Sequence, residues 1–228
     1  MNPRQLALSL LGLAITLGSL PNSPAAAAGP SVRPAVPAVA ARTASVDVDG
    51  DGRKDLVVLN QPDATHAVVT VTTARGLAAQ REVSISDYPY EIEDAWYATA
   101  KLDGSKGAEI ILNTFSGDGA GFTVLTWRRG ALIIEEAAKS PGANMSWYLL
   151  GAGFNGSGYH FFTSAGKRYV DAGDWQCTSD HGRVCSVRAY RSVWRSGSWH
   201  KVKAYTSKRL TWGQIHKFTD FTGVKLAR

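Results

Sequence analysis

The sequence of 228 residues predicts an all-β fold, and two features carry that prediction. From Thr43 onward, short runs of β-branched and aromatic residues are separated by Gly, Asp, Asn and Ser, which is the pattern of strands joined by turns. No stretch repeats its apolar residues with a helical period of about 3.6 residues over three turns. With 44% hydrophobic and 19% charged residues, the composition excludes disorder over most of the chain.

Seven runs are expected to form strands, and turn-forming pairs such as Arg129–Gly130, Asn155–Gly156 and Ser196–Gly197 lie among them. Alternation of apolar and polar residues is clearest in the last two runs, which is typical of strands with one buried face. The predicted strands are, in order, Leu56–Leu59, His66–Thr73, Glu109–Leu112, Phe122–Trp127, Tyr159–Phe162, Ser186–Trp194 and Trp199–Thr206.

The N-terminal residues are expected to lie outside the folded domain. Residues 1–28 combine an early charge, an apolar run and a series of alanines, which is typical of a secretory signal peptide. The apolar run of about fifteen residues is short for a membrane span of roughly 20, and an uncleaved anchor is the alternative. Residues 29–42 predict a flexible Pro/Ala-rich lead-in, and 43–228 the folded domain. We therefore expect a secreted, extracellular protein with no membrane span after cleavage.

The segment Asp47–Leu56 has the strongest chemical pattern in the chain. Four carboxylates alternate with small or polar residues, and Gly52 permits a sharp turn. Ca²⁺ prefers six to eight hard oxygen ligands, so a loop that turns several aspartates inward predicts a calcium site. A helix–loop–helix calcium site would need Glu at the twelfth position, which is Val58. The alternative is a solvated acidic turn.

Three segments share a Gly-rich loop that runs directly into an apolar strand. They start at Asp47, Lys101 and Gly153, which gives spacings of 54 and 52 residues. Repeats of roughly 40–50 residues are typical of β-propeller blades. We predict a propeller-like stack of about three to four small antiparallel sheets, and a β-sandwich with one calcium loop is the alternative. A second copy of the chain is one way to complete such a ring.

The segment DVDGDGRKDLVVL at Asp47–Leu59 resembles the calcium loop of FG-GAP or VCBS-type repeats, found in integrin-like β-propellers and in secreted bacterial proteins. The resemblance implies a Ca²⁺ site formed by the side chains of Asp47, Asp49, Asp51 and Asp55 and the carbonyl of Arg53. It also implies a weaker second metal loop, because the second segment keeps Asp103 and Glu109 but has Lys101 and Ser105 in place of acids. In the third segment Gly153, Ser157 and Phe161 replace the acidic residues.

Charge is unevenly distributed along the chain. Residues 42–115 hold 7 Lys and Arg against 12 Asp and Glu, a balance of −5, whereas residues 165–228 hold 13 against 4, a balance of +9. Basic residues interleaved with aromatic ones predict possible contacts with an anionic polymer of the cell wall. The alternative is an ordinary solvent-exposed strand face. The candidate contacts are Arg188, Arg191, Arg195, Lys201 and Lys203.

Cys177 and Cys185 are the only cysteines, and in an exported chain they predict a disulfide that closes a hairpin. A free reactive pair is the alternative.

The sequence as a whole predicts a calcium-stabilised, non-catalytic binding module for an extracellular glycan or protein. No pattern of a hydrolytic or metalloenzyme active site is present, and the five histidines are scattered. The competing hypothesis is a secreted polysaccharide hydrolase that uses carboxylates of Tyr88–Tyr97, namely Glu91, Glu93 and Asp94. A binder of cell-wall polyanions is the third hypothesis.

Overall fold

The computed structural model describes residues 41–86, 92–142, 146–178 and 184–228. The expected signal peptide at 1–28 and all but the end of the lead-in at 29–42 lie outside the described residues. The first strand begins at Ala41, two residues before the expected domain boundary at Thr43.

The first four strands form an antiparallel meander, which we call the first meander. Alternation along its strands buries Val57 and Leu59 of the second strand and Val69 and Val71 of the third, while the residues between them are more exposed. Its strands are β1 (Ala41–Val46), β2 (Asp55–Asp63), β3 (His66–Thr72) and β4 (Ala78–Ser84).

The second meander repeats this connectivity, because each of its four strands pairs antiparallel with the next. A single helical turn, α1 (Ile92–Ala95), precedes it. Its strands are β5 (Trp96–Ala100), β6 (Glu109–Ser116), β7 (Gly119–Arg128) and β8 (Ala131–Glu135).

The third meander has five antiparallel strands and is followed by the short helix α2 (Trp212–Ile215) and a 3₁₀ turn at His216–Phe218. The final strand pairs parallel with the second strand of this meander. The strands are β9 (Trp147–Ala152), β10 (Asn155–Ser164), β11 (Lys167–Cys177), β12 (Cys185–Arg195), β13 (Ser198–Leu210) and β14 (Phe221–Thr222).

The predicted all-β class is confirmed, and the described strands form two sheets, neither of which closes into a barrel. The first meander is a four-stranded sheet. The second and third are joined into one ten-stranded sheet, because β7 begins early enough for Gly119–Phe122 to pair with β9.

Within the described residues, apolar side chains pack into three clusters, two of which combine residues of neighbouring meanders. The first cluster contains the inner residues of the first meander with Ile110, Leu125 and Trp127 of the second. The second cluster is rich in aromatic rings, and Phe221 of β14 stacks on Tyr159 within it. The third lies under β11 and β12 and includes the disulfide.

The chain after α2 returns to the second and third meanders. The backbone of Ala227 exchanges two hydrogen bonds with Thr99 of β5, at 2.8 and 2.9 Å. The hydroxyl of Tyr97 donates to the carboxylate of Asp220, which also contacts Arg228. Phe221 and Ala227 therefore link β10 to β5 across the ten-stranded sheet.

Candidate metal loop and ligand groove

The first loop, residues 47–54, connects β1 to β2 and brings three of the predicted ligands together. One carboxylate oxygen from each of Asp47, Asp49 and Asp55 lies within 4.8 Å of the other two. The loop curls because Asp47 accepts hydrogen bonds from the backbone N–H groups of Gly50 (2.8 Å) and Gly52 (3.1 Å). Both glycines have positive φ angles, of 76° and 88°, which side-chain-bearing residues rarely adopt.

Asp55 is the buried member of this cluster, with 1% of its surface exposed. Its Oδ2 accepts from the backbone N–H of Val48 (2.8 Å) and of Asp49 (3.3 Å), and its Oδ1 accepts from Ala74 (2.8 Å). The carboxylate thus connects the end of β1, the start of β2 and the turn between β3 and β4. Backbone donors satisfy a charged group without neutralising it, so its negative charge remains in the cluster.

Asp51, the fourth predicted carboxylate ligand, pairs with two arginines. Its Oδ2 accepts from the guanidinium groups of Arg53 (3.0 Å) and Arg75 (2.9 Å), and its Oδ1 from the backbone N–H of Arg53 (2.8 Å). That backbone hydrogen bond is the largest cause that lowers the pKa of Asp51. Arg75 lies 24 residues away in the turn after β3, so the spacing of residues within the loop does not predict its contact with Asp51.

The donor set of the first loop fits a hard divalent cation. Three clustered carboxylates offer only oxygen ligands, which suit Ca²⁺, Mg²⁺ or Mn²⁺ better than softer metals. Carboxylate oxygens that already accept a backbone hydrogen bond retain a further lone pair for a cation.

The second loop, residues 101–108, occupies the equivalent place between β5 and β6 and repeats the same local bonds. The backbone N–H of Leu102 donates to Glu109 at 2.7 Å, as that of Val48 does to Asp55. Gly104 has a φ angle of 77°, within a degree of its counterpart in the first loop. The predicted repeat of Asp103 and Glu109 on Asp49 and Asp55 therefore corresponds to an equivalent loop geometry.

Arg128 provides the second loop with a positive charge from the protein itself. Its guanidinium contacts the carboxylate of Asp103 and lies 3.7 Å from that of Glu109. Both carboxylates are almost wholly buried, and Arg128 itself is partly exposed at the end of β7. A guanidinium is thus placed beside the two acids that the resemblance identifies as weak metal ligands.

Glu135, the last residue of β8, adds a third buried carboxyl group to the second loop. One oxygen each of Asp103, Glu109 and Glu135 lies within 4.8 Å of the others. Trp199 of β13 donates its indole N–H to Oε1 of Glu135 at 3.0 Å, and within the described residues Oε2 has no hydrogen-bond partner. Sequence reasoning missed Glu135 because it lies 26 residues beyond Glu109 in an ordinary strand.

Two of the buried carboxyl groups beside Arg128, Glu109 and Glu135, have raised pKa values. Burial, followed by the charge of Asp103, raises the pKa of Glu109 to about 7. Burial, followed by the charges of Glu109 and Asp103, raises the pKa of Glu135 well above its ordinary value. Arg168 adds a further cation nearby, although its guanidinium donates to the backbone carbonyls of Leu102 (2.7 Å) and Lys101 (3.0 Å).

The two loops also pack against each other. The backbone N–H of Ala108 donates to the carbonyl of Asp47 at 2.9 Å. Gly107 has a φ angle of 92°, and a Cβ atom there would lie 2.2 Å from the carbonyl oxygen of Val48. Glycine is therefore required at this position for the loops to approach so closely.

The predicted disulfide between Cys177 and Cys185 is confirmed. The two residues are directly opposed across β11 and β12, so the bond closes the hairpin at the end where the two strands are connected.

The five predicted polyanion contacts lie in different surroundings. Arg191 forms a bidentate pair with the buried Asp171, at 2.7 and 2.8 Å, and its guanidinium lies over the ring of Phe162. Lys201 places its ammonium 4.1 Å from the centroid of the Tyr190 ring. The remaining three, Arg188, Arg195 and Lys203, are exposed.

A cleft of about 660 Å³ crosses one face of the third meander, and a neighbouring cleft of about 550 Å³ shares three of its lining residues. We call the two together the ligand groove. Side chains from β9 to β13 line it, among them Asn155, Asp174, Gln176, Arg188 and Lys208. Of the predicted polyanion contacts, Arg188 alone is among these lining residues. Sequence reasoning did not identify Asn155, Asp174, Gln176 or Lys208 as contacts.

The segment of the hydrolase hypothesis is only partly described. Residues 87–91, which include Glu91, and the side chain of Glu93 lie outside the described residues. Asp94 is exposed in α1, and Trp96 is buried in the first apolar cluster, between the first and second meanders.

In the described part of the chain, no helix is long and apolar enough to cross a membrane. Comparison of the chain with protein-family models, with curated proteins and with solved structures found no match. The resemblance of the first loop to FG-GAP or VCBS-type repeats therefore remains a prediction from its residues.

Proposed function

We propose that the protein is an exported, non-catalytic binding module in which the first loop holds a structural Ca²⁺ ion. The clustering of Asp47, Asp49 and Asp55 within 4.8 Å supports the metal site, because these carboxylates have backbone donors but no guanidinium among them in the described residues. The disulfide and the signal-like N-terminus support export, since disulfides persist in oxidising compartments.

A structural role follows from the position of Asp55. Its carboxylate joins three backbone segments, so a cation that neutralises the cluster would stabilise the whole end of the first meander. Ca²⁺ in extracellular modules binds with dissociation constants of about 10⁻⁴–10⁻³ M, which suits a site filled outside the cell.

The ligand groove supports binding rather than hydrolysis. Asp174 is the one carboxylate among its described lining residues. Glycoside hydrolysis usually needs two carboxyl groups about 5–9.5 Å apart. A groove with one carboxylate and several amide and hydroxyl groups is better suited to holding a glycan or protein ligand.

The three meanders also support a propeller-like repeat architecture of the FG-GAP or VCBS type. Each of the first two places an acidic loop between its first and second strands, as the resemblance implies. An incomplete ring would be completed by a second copy of the chain. Light scattering of the purified protein tests completion of the ring by a second copy, because a strictly monomeric protein contradicts it.

Thermal melting in EGTA and in millimolar Ca²⁺ tests the metal site. A ligand selective for the folded state raises the melting temperature, so we expect a higher midpoint with Ca²⁺. Asp49→Asn removes one ligand charge while keeping the shape of the side chain, and it should reduce the Ca²⁺-dependent shift.

Asp118→Asn is the matched control, because Asp118 is an exposed acid in the turn between β6 and β7. It should retain the full shift. An Asp51→Asn variant that also retains the shift would mean that Asp51 pairs with arginines and does not bind the metal. Equal midpoints in EGTA and Ca²⁺ for the unmodified protein would overturn the calcium proposal.

A further inference from the structure

We propose that the ligand groove binds an acidic polysaccharide whose sugar rings carry carboxylate groups. This inference rests on the proposed function as a binding module, and it names the class of ligand and the residues that hold it.

Polar side chains form a continuous row across the floor of the groove. The register places Ser157 opposite Asp174, Asp174 opposite Arg188, and Arg188 opposite Thr206. Residues directly opposed on antiparallel strands project from the same face, so these four side chains share one surface. A second row on that face contains Asn155, Gln176 and Ser186. Amide and hydroxyl groups both donate and accept hydrogen bonds, which matches the hydroxyls of a sugar chain.

Three cations in the groove outnumber its one carboxylate. Arg188, Lys208 and Arg209 are exposed, and within the described residues none of them forms a hydrogen bond or a close ion pair, while Arg188 lies opposite Asp174 and its charge acts on that carboxylate. Their guanidinium and ammonium groups are therefore free to contact an anion from solution. Arg188 in particular can bind a carboxylate through two parallel hydrogen bonds.

Asp174 gives the groove a fixed acceptor beside these cations. Ser140 donates to its Oδ1 at 3.1 Å, which orients the carboxylate. A carboxylate commonly accepts from neighbouring hydroxyl groups, and a sugar ring presents such groups in pairs. The combination of one acceptor and three cations suits a sugar acid better than a purely anionic polymer.

A bulge in the edge strand places two of the cations over the groove. Cys185 pairs with Leu210 and Val187 with Ser207, so β13 contains one residue more than β12 in this interval. Arg209 takes a positive φ angle of 57° there, which is uncommon for a residue with a side chain. Bulges change the direction of side chains and often occur beside binding sites.

The groove also has an apolar wall. Phe154 at the β9–β10 turn is 43% exposed and lines the part of the groove that includes the disulfide. An exposed ring at the edge of a polar groove can pack against the apolar face of a sugar. An extended peptide would instead be expected to pair with the free edge of β13, because backbone hydrogen bonds along that edge would supply its affinity.

Calorimetric titration of the full chain with three probes tests the proposal: alginate oligosaccharides, which carry carboxylates, heparin oligosaccharides, which carry mainly sulfates, and neutral dextran. We expect binding to alginate and none to dextran. The double variant Arg188→Gln/Lys208→Gln should lower the affinity for alginate about tenfold or more, since charge-assisted hydrogen bonds are lost. The matched control is Arg195→Gln/Lys203→Gln, which removes two exposed charges that do not line the groove and should leave the affinity unchanged.

The outcomes separate this inference from the calcium proposal. Failure to bind alginate by a protein that still melts higher in Ca²⁺ would overturn the groove ligand and leave the metal site standing. Equal losses in both double variants, or tighter binding of heparin than of alginate, would mean that general surface charge attracts polyanions, and would also overturn the inference. Unchanged melting temperatures of the variants show that a lost affinity is not a folding defect.

Discussion

At the scale of single residues, the two equivalent loops handle their carboxylates differently. In the first loop the acids at Asp47, Asp49 and Asp55 cluster with backbone donors around them. In the second, Arg128 brings a guanidinium to Asp103 and Glu109. In our proposal the first loop takes a cation from solution, whereas the second loop has the guanidinium of Arg128 beside its acids.

Replacing Arg128 by methionine tests this difference. The change keeps much of the side-chain volume but leaves the buried carboxylate of Asp103 without its positive partner, so we expect the free energy of unfolding to fall by about 3–5 kcal/mol at neutral pH. Urea denaturation measures it. The exposed neighbour Arg129→Gln is the control and should change stability by about 0.5 kcal/mol or less. A loss no larger than that of the control would mean that Arg128 does not compensate the acids.

Residues close together in sequence were the ones that sequence reasoning could place. The clustering of Asp47, Asp49 and Asp55 is encoded by spacing within one turn, because local backbone hydrogen bonds determine it. Strand pairing alone brings three further residues to the loops, so no local sequence pattern predicts their positions. They are Arg75, Arg128 and Glu135.

At the scale of the elements, the β11–β12 hairpin supports both the third core cluster and the ligand groove. Its inner face packs Trp175 and Val187 on the 3₁₀ turn that contains Phe218, and its outer face carries Asp174 and Arg188. The same two strands therefore pack against the core on one side and line the groove on the other. Alternation along β12 predicted this division, and the β11–β12 register is continuous through Arg191 and Ser192, where β12 and β13 shift their pairing.

The disulfide should stabilise this hairpin. Cys177 and Cys185 are separated by 8 residues, and closing a loop of that length reduces the entropy of the unfolded chain by an amount worth about 2.5 kcal/mol. The variant Cys177→Ser/Cys185→Ser should therefore unfold at lower urea concentration, and reductant should lower the stability of the unmodified protein similarly. If reductant destabilises the double variant to the same extent, the effect does not come from this bond.

At the scale of the whole molecule, buried titratable groups set the pH dependence of stability. The pKa of Glu109 is about 7 in the folded protein and has its ordinary value of 4.5 in the unfolded chain. Between pH 4.5 and about 7, the folded protein therefore keeps a proton that the unfolded chain has released. Stability contributed by this proton is present below 4.5 and is lost as the pH rises to about 7. His160 acts in the opposite sense, because burial lowers its pKa below 6.5.

Comparison with Glu109→Gln isolates the contribution of Glu109. The amide cannot titrate, so the difference in unfolding free energy between the unmodified protein and the variant should decrease by about 2–3 kcal/mol as the pH rises from 4.5 to about 7. Urea denaturation in EGTA across this range measures the difference without interference from Ca²⁺. A difference that is constant with pH would contradict the raised pKa.

Of the overall architecture, only the all-β fold class was predictable from the sequence. Strand and turn patterns predicted an all-β chain with loops in equivalent places, since alternation and glycine positions are local properties. The pairing of β7 with β9, which merges two meanders into a ten-stranded sheet, depends on contacts between distant residues and has no sequence signature.

The return of the chain after α2 has a consequence for the order of folding. The second core cluster needs Phe221, which is 62 residues beyond its partner Tyr159 on β10, whereas the first meander pairs only neighbouring strands. Contacts between distant residues form slowly because a long loop must close first. The first meander can therefore assemble early in synthesis, while the second core cluster becomes complete only once the last strand, β14, has been made.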